Sequence, residues 1–211
     1  MRKKIEKIYM GLIIAFMYLP IATMIILSFN ASKSRARWGG FTLKWYLNLA
    51  SDSAIINALS NTLIIALIST IVATLIGTIT CVALMGLGKK SRTFLMGIAN
   101  IPMINADIVT GISLMLLFRA LHFGAGFLTV LIAHITFNIP YVMLSVMPRM
   151  KTINPYTYEA ALDLGAEPLF AFRKTILPDL MPAILSGAMM AFTMSIDDFI
   201  ITYFTKGSGF D

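Results

Sequence analysis

The sequence predicts an all-α polytopic membrane protein, and three observations carry the prediction. Hydrophobic residues make up 58% of the 211-residue chain and charged residues 13%, with a mean hydropathy of +0.82; an ordinary soluble domain holds about 45–50% and about 25%. The apolar residues are gathered into runs of membrane-crossing length. Most connections between the runs are short and polar or rich in glycine and proline. This composition excludes a soluble enzyme, a disordered binder and a large water-soluble catalytic domain.

At about 20 apolar residues per crossing, the runs give five spans, at 8–29, 58–87, 93–118, 127–147 and 180–204. The first follows Arg2, Lys3, Lys4 and Lys7, as a secretory signal does. Its apolar part exceeds the ~7–15 residues of a signal core, and Ala31-Ser32-Lys33 makes a poor cleavage site, so it reads as an uncleaved span. Pro20, Pro102 and Pro140 fall inside spans as kinks tolerated by packing. The single cysteine, Cys81, forms no internal disulfide or thiolate metal cluster and reads as core. Two domains are expected: 1–57, the first span with its outer loop, and 58–211, the transmembrane body with a cytoplasmic loop at 149–179.

Charge sets the orientation. The net charge of +7 reads as basic cytoplasmic loops rather than nucleic-acid binding. With the amino terminus inside, eleven of the seventeen Lys and Arg residues face the cytoplasm, including the expected turn Lys89-Lys90-Ser91-Arg92. The loop 30–57 is basic and runs against the trend. Five spans leave the tail from Gly207 to Asp211 outside.

The stretch 149–179 is long for a loop in a compact membrane protein, and such loops are functional or disordered. Its pattern is ordered. Asn154-Pro155 opens a helix that runs from Tyr156 to Leu164, Gly165 stops it in a left-handed conformation, and Glu167-Pro168 starts a second short helix reaching Thr175. Leu177-Pro178 then turns the chain back into the membrane, and the flat Ala160-Ala161 surface suits docking into another protein's groove.

Glu159-Ala160-Ala161, Gly165 and Leu177-Pro178 stand at the spacing of the EAA loop and resemble that loop in inner-membrane permeases of ATP-binding-cassette (ABC) importers, with Thr175 where the family usually has an aliphatic residue. Pro182, Ser186 and Gly187 are similar to the family's fifth helix. Lys44-Trp45-Tyr46, Asn61-Thr62-Leu63, Pro102, Asn138-Ile139-Pro140-Tyr141 and Ser195-Ile196-Asp197-Asp198-Phe199 look most like the spermidine/putrescine permeases within that family. The resemblance implies a MetI-like permease fold, normally of six helices with both ends cytoplasmic, so that the sixth is expected to be missing here. It also implies a multi-pass protein of the cell inner membrane with no catalytic residue, cofactor or metal of its own. Its partners are then an ABC ATPase docked on Glu159, Ala160, Ala161, Gly165, Leu177 and Pro178, a second permease subunit, an extracytoplasmic solute-binding protein and membrane lipid.

Acids within spans need a reason, because an ionised carboxylate at mid-bilayer costs about 2.5–3.5 kcal/mol on insertion scales. Asp107 falls near the middle of the third span, with Asn100, Met103 and Thr110 on its face. Ser186, Met190, Thr193 and Asp197 form a stripe on the fifth, placing Asp197 about 10 Å below the outer end. His134, Asn138, Tyr141 and Ser145 form another on the fourth. Such stripes imply a hydrated or protein-facing path, for which Asp107, Asp197, Asp198, Tyr141 and Asn138 are the candidate residues. For Asp107 and Asp197 a solute contact and a structural pairing weigh evenly; Asp198, on a small-residue face, favours packing, and His134 reads as hydrogen-bonded structure.

Four rival functions meet the sequence differently. Gly86-Leu87-Gly88-Lys89-Lys90-Ser91 lacks the first glycine and the Ser/Thr of a nucleotide-binding loop. An intramembrane aspartyl protease would need Asp107 and Asp197 to meet, and the glycine-aspartate signature is missing around both. A proton-coupled secondary transporter would show paired repeats, which the two halves lack. An ABC permease for phosphonate, thiamine or an iron chelate stays open, because fold alone does not choose the solute.

Overall fold

The computed structural model describes residues 2–34 and 36–207; Arg35 and the expected outward tail at 208–211 lie outside the described residues. The described chain divides into two compact units, 1–57 and 58–211.

In the first unit, α1 (Arg2–Ser28) is a single helix through Pro20. Its apolar stretch Glu6–Ser28, 23 residues, is about 35 Å long, enough for a hydrocarbon core of about 30 Å. Asn30 organises the loop that follows. Its side-chain amide donates to the carbonyls of Ser34 (3.3 Å) and Arg37 (2.7 Å) and accepts from the N–H groups of Ser32 (3.1 Å) and Gly39 (2.7 Å). Trp45, on α2 (Lys44–Ser51), donates its indole N–H to the Asn30 carbonyl at 2.8 Å, and Phe29 stacks on Phe41. Gly39 is required because a Cβ there would meet Ser32 N at 2.9 Å.

The second unit is built around α7 (Phe127–Met150), with α3 (Ser53–Met85) and α10 (Leu177–Asp197) against it. Lipid tails are as apolar as leucine, so close van der Waals fit rather than water exclusion joins such helices. Val142 is the pivot: a Cβ on Gly77 of α3 would lie 3.0 Å from its side chain, and one on Gly187 of α10 would lie 3.2 Å from its Cα. Cys81, Leu84, Met143, Val146, Met147 and Leu180 fill the core around it.

Four described helices are long and apolar enough to cross a membrane: Glu6–Ser28, Ser53–Met85, Phe127–Met150 and Pro168–Asp197. The expected third span, 93–118, is not one helix. It is α4 (Lys89–Ala99), α5 (Ile101–Ile104) and α6 (Asp107–Ala120), with Asn105 and Ala106 extended at ψ 150° and 139°. Pro102 has no N–H for the Ile98 carbonyl and its ring crowds it, so the helix ends and restarts with proline in its first turn. The basic residues Lys89 to Arg92 begin α4 rather than forming a turn.

The fifth span also differs from expectation. The second short helix of the loop does not end at Thr175, and Leu177-Pro178 makes no turn. Instead α9 (Pro168–Ala171) passes through a π-helical turn, Phe172–Ile176, directly into α10. Leu177 N–H bonds the Phe172 carbonyl five residues back, and this widened turn accommodates the missing N–H and the ring of Pro178. At the other end α10 stops at Asp197, Asp198 is extended (φ −72°, ψ 115°), and α11 (Ile200–Thr205) begins anew. α11 packs on α6, where Gly111 approaches Ile201 and Phe204.

Candidate functional site

The break between α10 and α11 opens a cleft of about 370 Å³, whose lining includes Asn61, His134, Asp197, Asp198, Tyr203 and Lys206. Asp198 makes the break. Its carboxylate accepts from the backbone N–H groups of Ile201 (3.2 Å) and Thr202 (2.9 Å), capping α11. Asp197, the last residue of α10, is exposed at the cleft. Phe199 and Tyr203 lie against each other beside it, with ring centroids 5.8 Å apart.

Beneath the cleft a chain of side-chain hydrogen bonds crosses four helices. Asn138 of α7 donates to Ser69 Oγ of α3 (3.4 Å), and Ser69 meets Ser195 of α10 at 3.1 Å. Ser195 Oγ lies 2.6 Å from His134 Nδ1, and His134 Nε2 lies 2.9 Å from Thr202 Oγ1 of α11. Thr202 donates to Asp198 Oδ2 at 3.1 Å. One assignment of hydrogens satisfies every link: Asn138 to Ser69, Ser69 to Ser195, Ser195 to His134 Nδ1, His134 Nε2–H to Thr202, Thr202 to the carboxylate. It requires a neutral imidazole carrying its proton on Nε2, inferred from the partners. His134, Ser69, Ser195 and Asn138 are all buried.

The candidate path residues do not form one group. Asp197 and Asp198 share the cleft; Asn138 is fully buried beneath it and is not part of its lining. Asp107 is the exposed first residue of α6, not a mid-span residue, and Asn100 and Met103 belong to other elements, so the face expected for it shrinks to Thr110. Tyr141, seven residues after His134 on α7 and so on the same stripe, lies edge-on to Phe137 with ring centroids 6.4 Å apart and packs against the cluster that Leu114 of α6 also joins. Ser145 stays on that stripe and donates to the Ala183 carbonyl of α10 at 2.8 Å. Ser69 and Thr202 escaped the sequence reading: hydroxyls in apolar runs are common, and nothing local marks these two as partners of His134. Among the described residues no three His, Cys, Asp or Glu side chains cluster as metal ligands.

The loop before α10 forms a second feature. Asn154 caps α8 (Pro155–Asp163), accepting from Tyr156 N–H at 3.1 Å, with Pro155 in the first turn. Gly165 follows at φ +86°. Its N–H bonds the Leu162 carbonyl (2.9 Å) and Ala166 N–H bonds that of Ala161 (3.1 Å), the paired bonds of a Schellman stop. Glu159 and Ala160 are exposed and Ala161 is half-buried. Leu164, 89% exposed, and Leu169, 78% exposed, stand on the same elbow, an apolar surface offered outward.

Membrane-length helices packed through glycines, a polar cleft at a broken helix and an ordered loop with an exposed elbow define a membrane transport component. The chain belongs to the family of binding-protein-dependent transport system inner membrane components, which it matches over residues 73–210. It is 39% identical over 203 residues to the spermidine/putrescine transport system permease protein PotC of Escherichia coli K12, covering 96% of this chain and 77% of that protein. The putrescine transport system permease protein PotI of the same organism is 38% identical over 201 residues, covering 92% and 72%. The PotC protein of Haemophilus influenzae is 33% identical over 203 residues, covering 96% and 79%. The chain is thus a multi-pass membrane permease of MetI-like fold.

Proposed function

We propose that the chain is a permease subunit of an ABC importer that moves polyamines, spermidine or putrescine, across the cytoplasmic membrane with a separate ATPase supplying the energy. The names of its relatives support the solute. The observation in this chain that carries the reading is the cleft at the α10–α11 break, where Asp197 stands beside the Phe199–Tyr203 pair. An ammonium group gains Coulomb attraction from the carboxylate and about 0.5–2 kcal/mol from each ring it faces. Asp107 and Tyr141 continue the path, while Asp198 and Asn138 hold its wall. The ATPase docks on the elbow of α8 and α9 through Glu159, Ala160, Ala161 and Gly165, with Leu177 and Pro178 joining that elbow to α10. A second permease subunit completes the path and a solute-binding protein delivers the polyamine. The amino terminus is cytoplasmic, 1–57 is a span with its outer loop, and 58–211 is the transport body.

Uptake of labelled spermidine and putrescine by the assembled complex tests this. Asp107→Asn and Asp197→Asn each lower uptake with assembly intact, and the double variant abolishes it. Unchanged uptake in both single variants would make these acids structural. Uptake that collapses with a protonophore at constant ATP would point to a proton-coupled transporter instead.

A further inference from the structure

Residues 30–51 carry Lys33, Arg35, Arg37 and Lys44 and no Asp or Glu, although the proposed orientation puts them on the face where basic residues are usually scarce. The segment is fastened at both ends to apolar helices, α1 ending at Ser28 and α3 starting at Ser53, which tethers it to the membrane surface. It is also rigid, because Asn30 ties four of its backbone groups. Both tryptophans of the chain, Trp38 and Trp45, lie in it, and tryptophan and tyrosine favour the membrane–water interface.

Within this segment is a cleft of about 520 Å³ lined by Leu27, Leu49, Trp45 and Tyr46 together with Ser32 and Lys33. Leu27 belongs to the last turn of the membrane helix, and Ser32 and Lys33 to the loop beyond it. The cleft therefore grades from a hydrocarbon-side apolar wall to a water-side basic rim. Ser32 Oγ accepts the Ser34 N–H at 3.1 Å, a bond that leaves its own proton to donate. Lys33 and Arg37 are exposed.

We propose that this cleft binds an anionic phospholipid. The lipid phosphate meets the Lys33 ammonium and the Ser32 hydroxyl, Arg37 and Lys44 add to the positive field, and the first acyl carbons lie along Leu27 and Leu49. The site selects an anion, opposite in sign to the ligand of the carboxylate cleft in the second unit, and it does not depend on which solute the permease carries.

The two native tryptophans supply the probe. The full chain carrying Trp38→Phe, which leaves Trp45 as its single tryptophan, is placed in phosphatidylcholine nanodiscs. Part of the lipid is replaced either by phosphatidylglycerol or by phosphatidylcholine, each brominated near the carbonyl end of the acyl chain. Half-maximal quenching of Trp45 comes at about fivefold lower mole fraction for phosphatidylglycerol, the effect of one basic residue near a membrane surface. Lys33→Gln, a change at an exposed side chain, narrows the gap between the two half-points, leaving only what Arg37 and Lys44 contribute, and an unchanged gap also overturns the proposal. Equal half-points in the unsubstituted Lys33 protein overturn the proposal. So does relief of the phosphatidylglycerol quenching by inorganic phosphate, which would make this a free-anion site, or by an added solute-binding protein, which would make it a protein dock.

Discussion

Replacing Gly165 separates the conformational demand of the elbow from its packing. The residue has φ +86°, and a Cβ added there meets no atom within 4 Å. Alanine therefore brings no clash, and its cost is the backbone term alone, about 1–2 kcal/mol for a side chain in the left-handed region. Against this stand the two bonds that close the stop, from Gly165 to Leu162 and from Ala166 to Ala161, each worth about 0.5–1.5 kcal/mol net. The elbow survives alanine with little margin, its formed population falling about 5–30-fold relative to competing turns. Valine adds β-branching, which stiffens χ1, and should lose the elbow. The assay is solute-stimulated ATPase activity of the reconstituted complex, read beside co-purification of the ATPase. Gly165→Ala should lower stimulation, Gly165→Val should abolish it, and membrane insertion should survive both. Gly88, at φ −59° with open space around it, is the control, and Gly88→Ala should change little. Stimulation in Gly165→Val equal to that in Gly88→Ala would refute the role given to the left-handed elbow.

His134→Ala removes two links of the buried chain at 2.6 and 2.9 Å; at about 0.6 kcal/mol for an average interhelical bond in membrane proteins and about 1.7 at most, the loss is about 1–3 kcal/mol. It should appear as a lower thermal unfolding temperature in detergent, and a temperature equal to that of the parent would show that the chain of bonds does not hold α10 and α11 to α7. Gly187→Ala forces a Cβ to 3.2 Å from Ser145 Cβ and Val142 Cα, where backbone cannot yield, and should cost about 1–3 kcal/mol by overpacking. Gly97→Ala, with nothing within 4 Å, should leave unfolding unchanged, and equal behaviour of the two would argue against the close approach of α7 and α10.

The parts legible in the sequence are those whose cause is local. Asn154-Pro155, Gly165 and Glu167-Pro168 specify caps and stops within a few residues of one another, and the observed α8, the left-handed glycine and α9 follow them closely. The breaks in the third and fifth runs are invisible to hydropathy, because a hydropathy window counts apolar residues and does not register a lost donor. Local signals were nonetheless present. Asn100, Pro102 and Asn105 interrupt one run, and Asp198 stands three and four residues before the N–H groups it caps. The polar chain under the cleft is of another kind. Ser69 and Ser195 are 126 positions apart, and only the packing of α3 and α10 around α7 makes them neighbours. The stripe through His134, Asn138 and Ser145 marked a buried polar face without naming what it would meet.

The two broken helices also answer why these acids lack basic partners in their own runs. A helix end supplies what a lysine would otherwise supply. Asp107 lies in the first turn of α6, at the positive end of the helix dipole, which favours a carboxylate by about 0.3–1 kcal/mol. Asp198 accepts two backbone N–H groups of α11 and the Thr202 hydroxyl. Asp197 is placed differently, because it ends α10, where the dipole is negative, and it is exposed at the cleft. Its carboxylate stands in the cleft with Lys206 also in the lining, and its place there, rather than in a helix cap, is what makes it a contact for a cationic solute. The two neighbouring residues should therefore separate on substitution. Asp197→Asn should lower polyamine uptake while the thermal unfolding temperature stays at the parent value. Asp198→Asn replaces a carboxylate that receives three hydrogen bonds by a neutral amide and should lower the unfolding temperature first, with uptake following the loss of the α10–α11 geometry. Reversed behaviour, stability lost at Asp197 and uptake alone lost at Asp198, would mean that the solute reads the capping carboxylate and that the break in the helix is held by something other than Asp198.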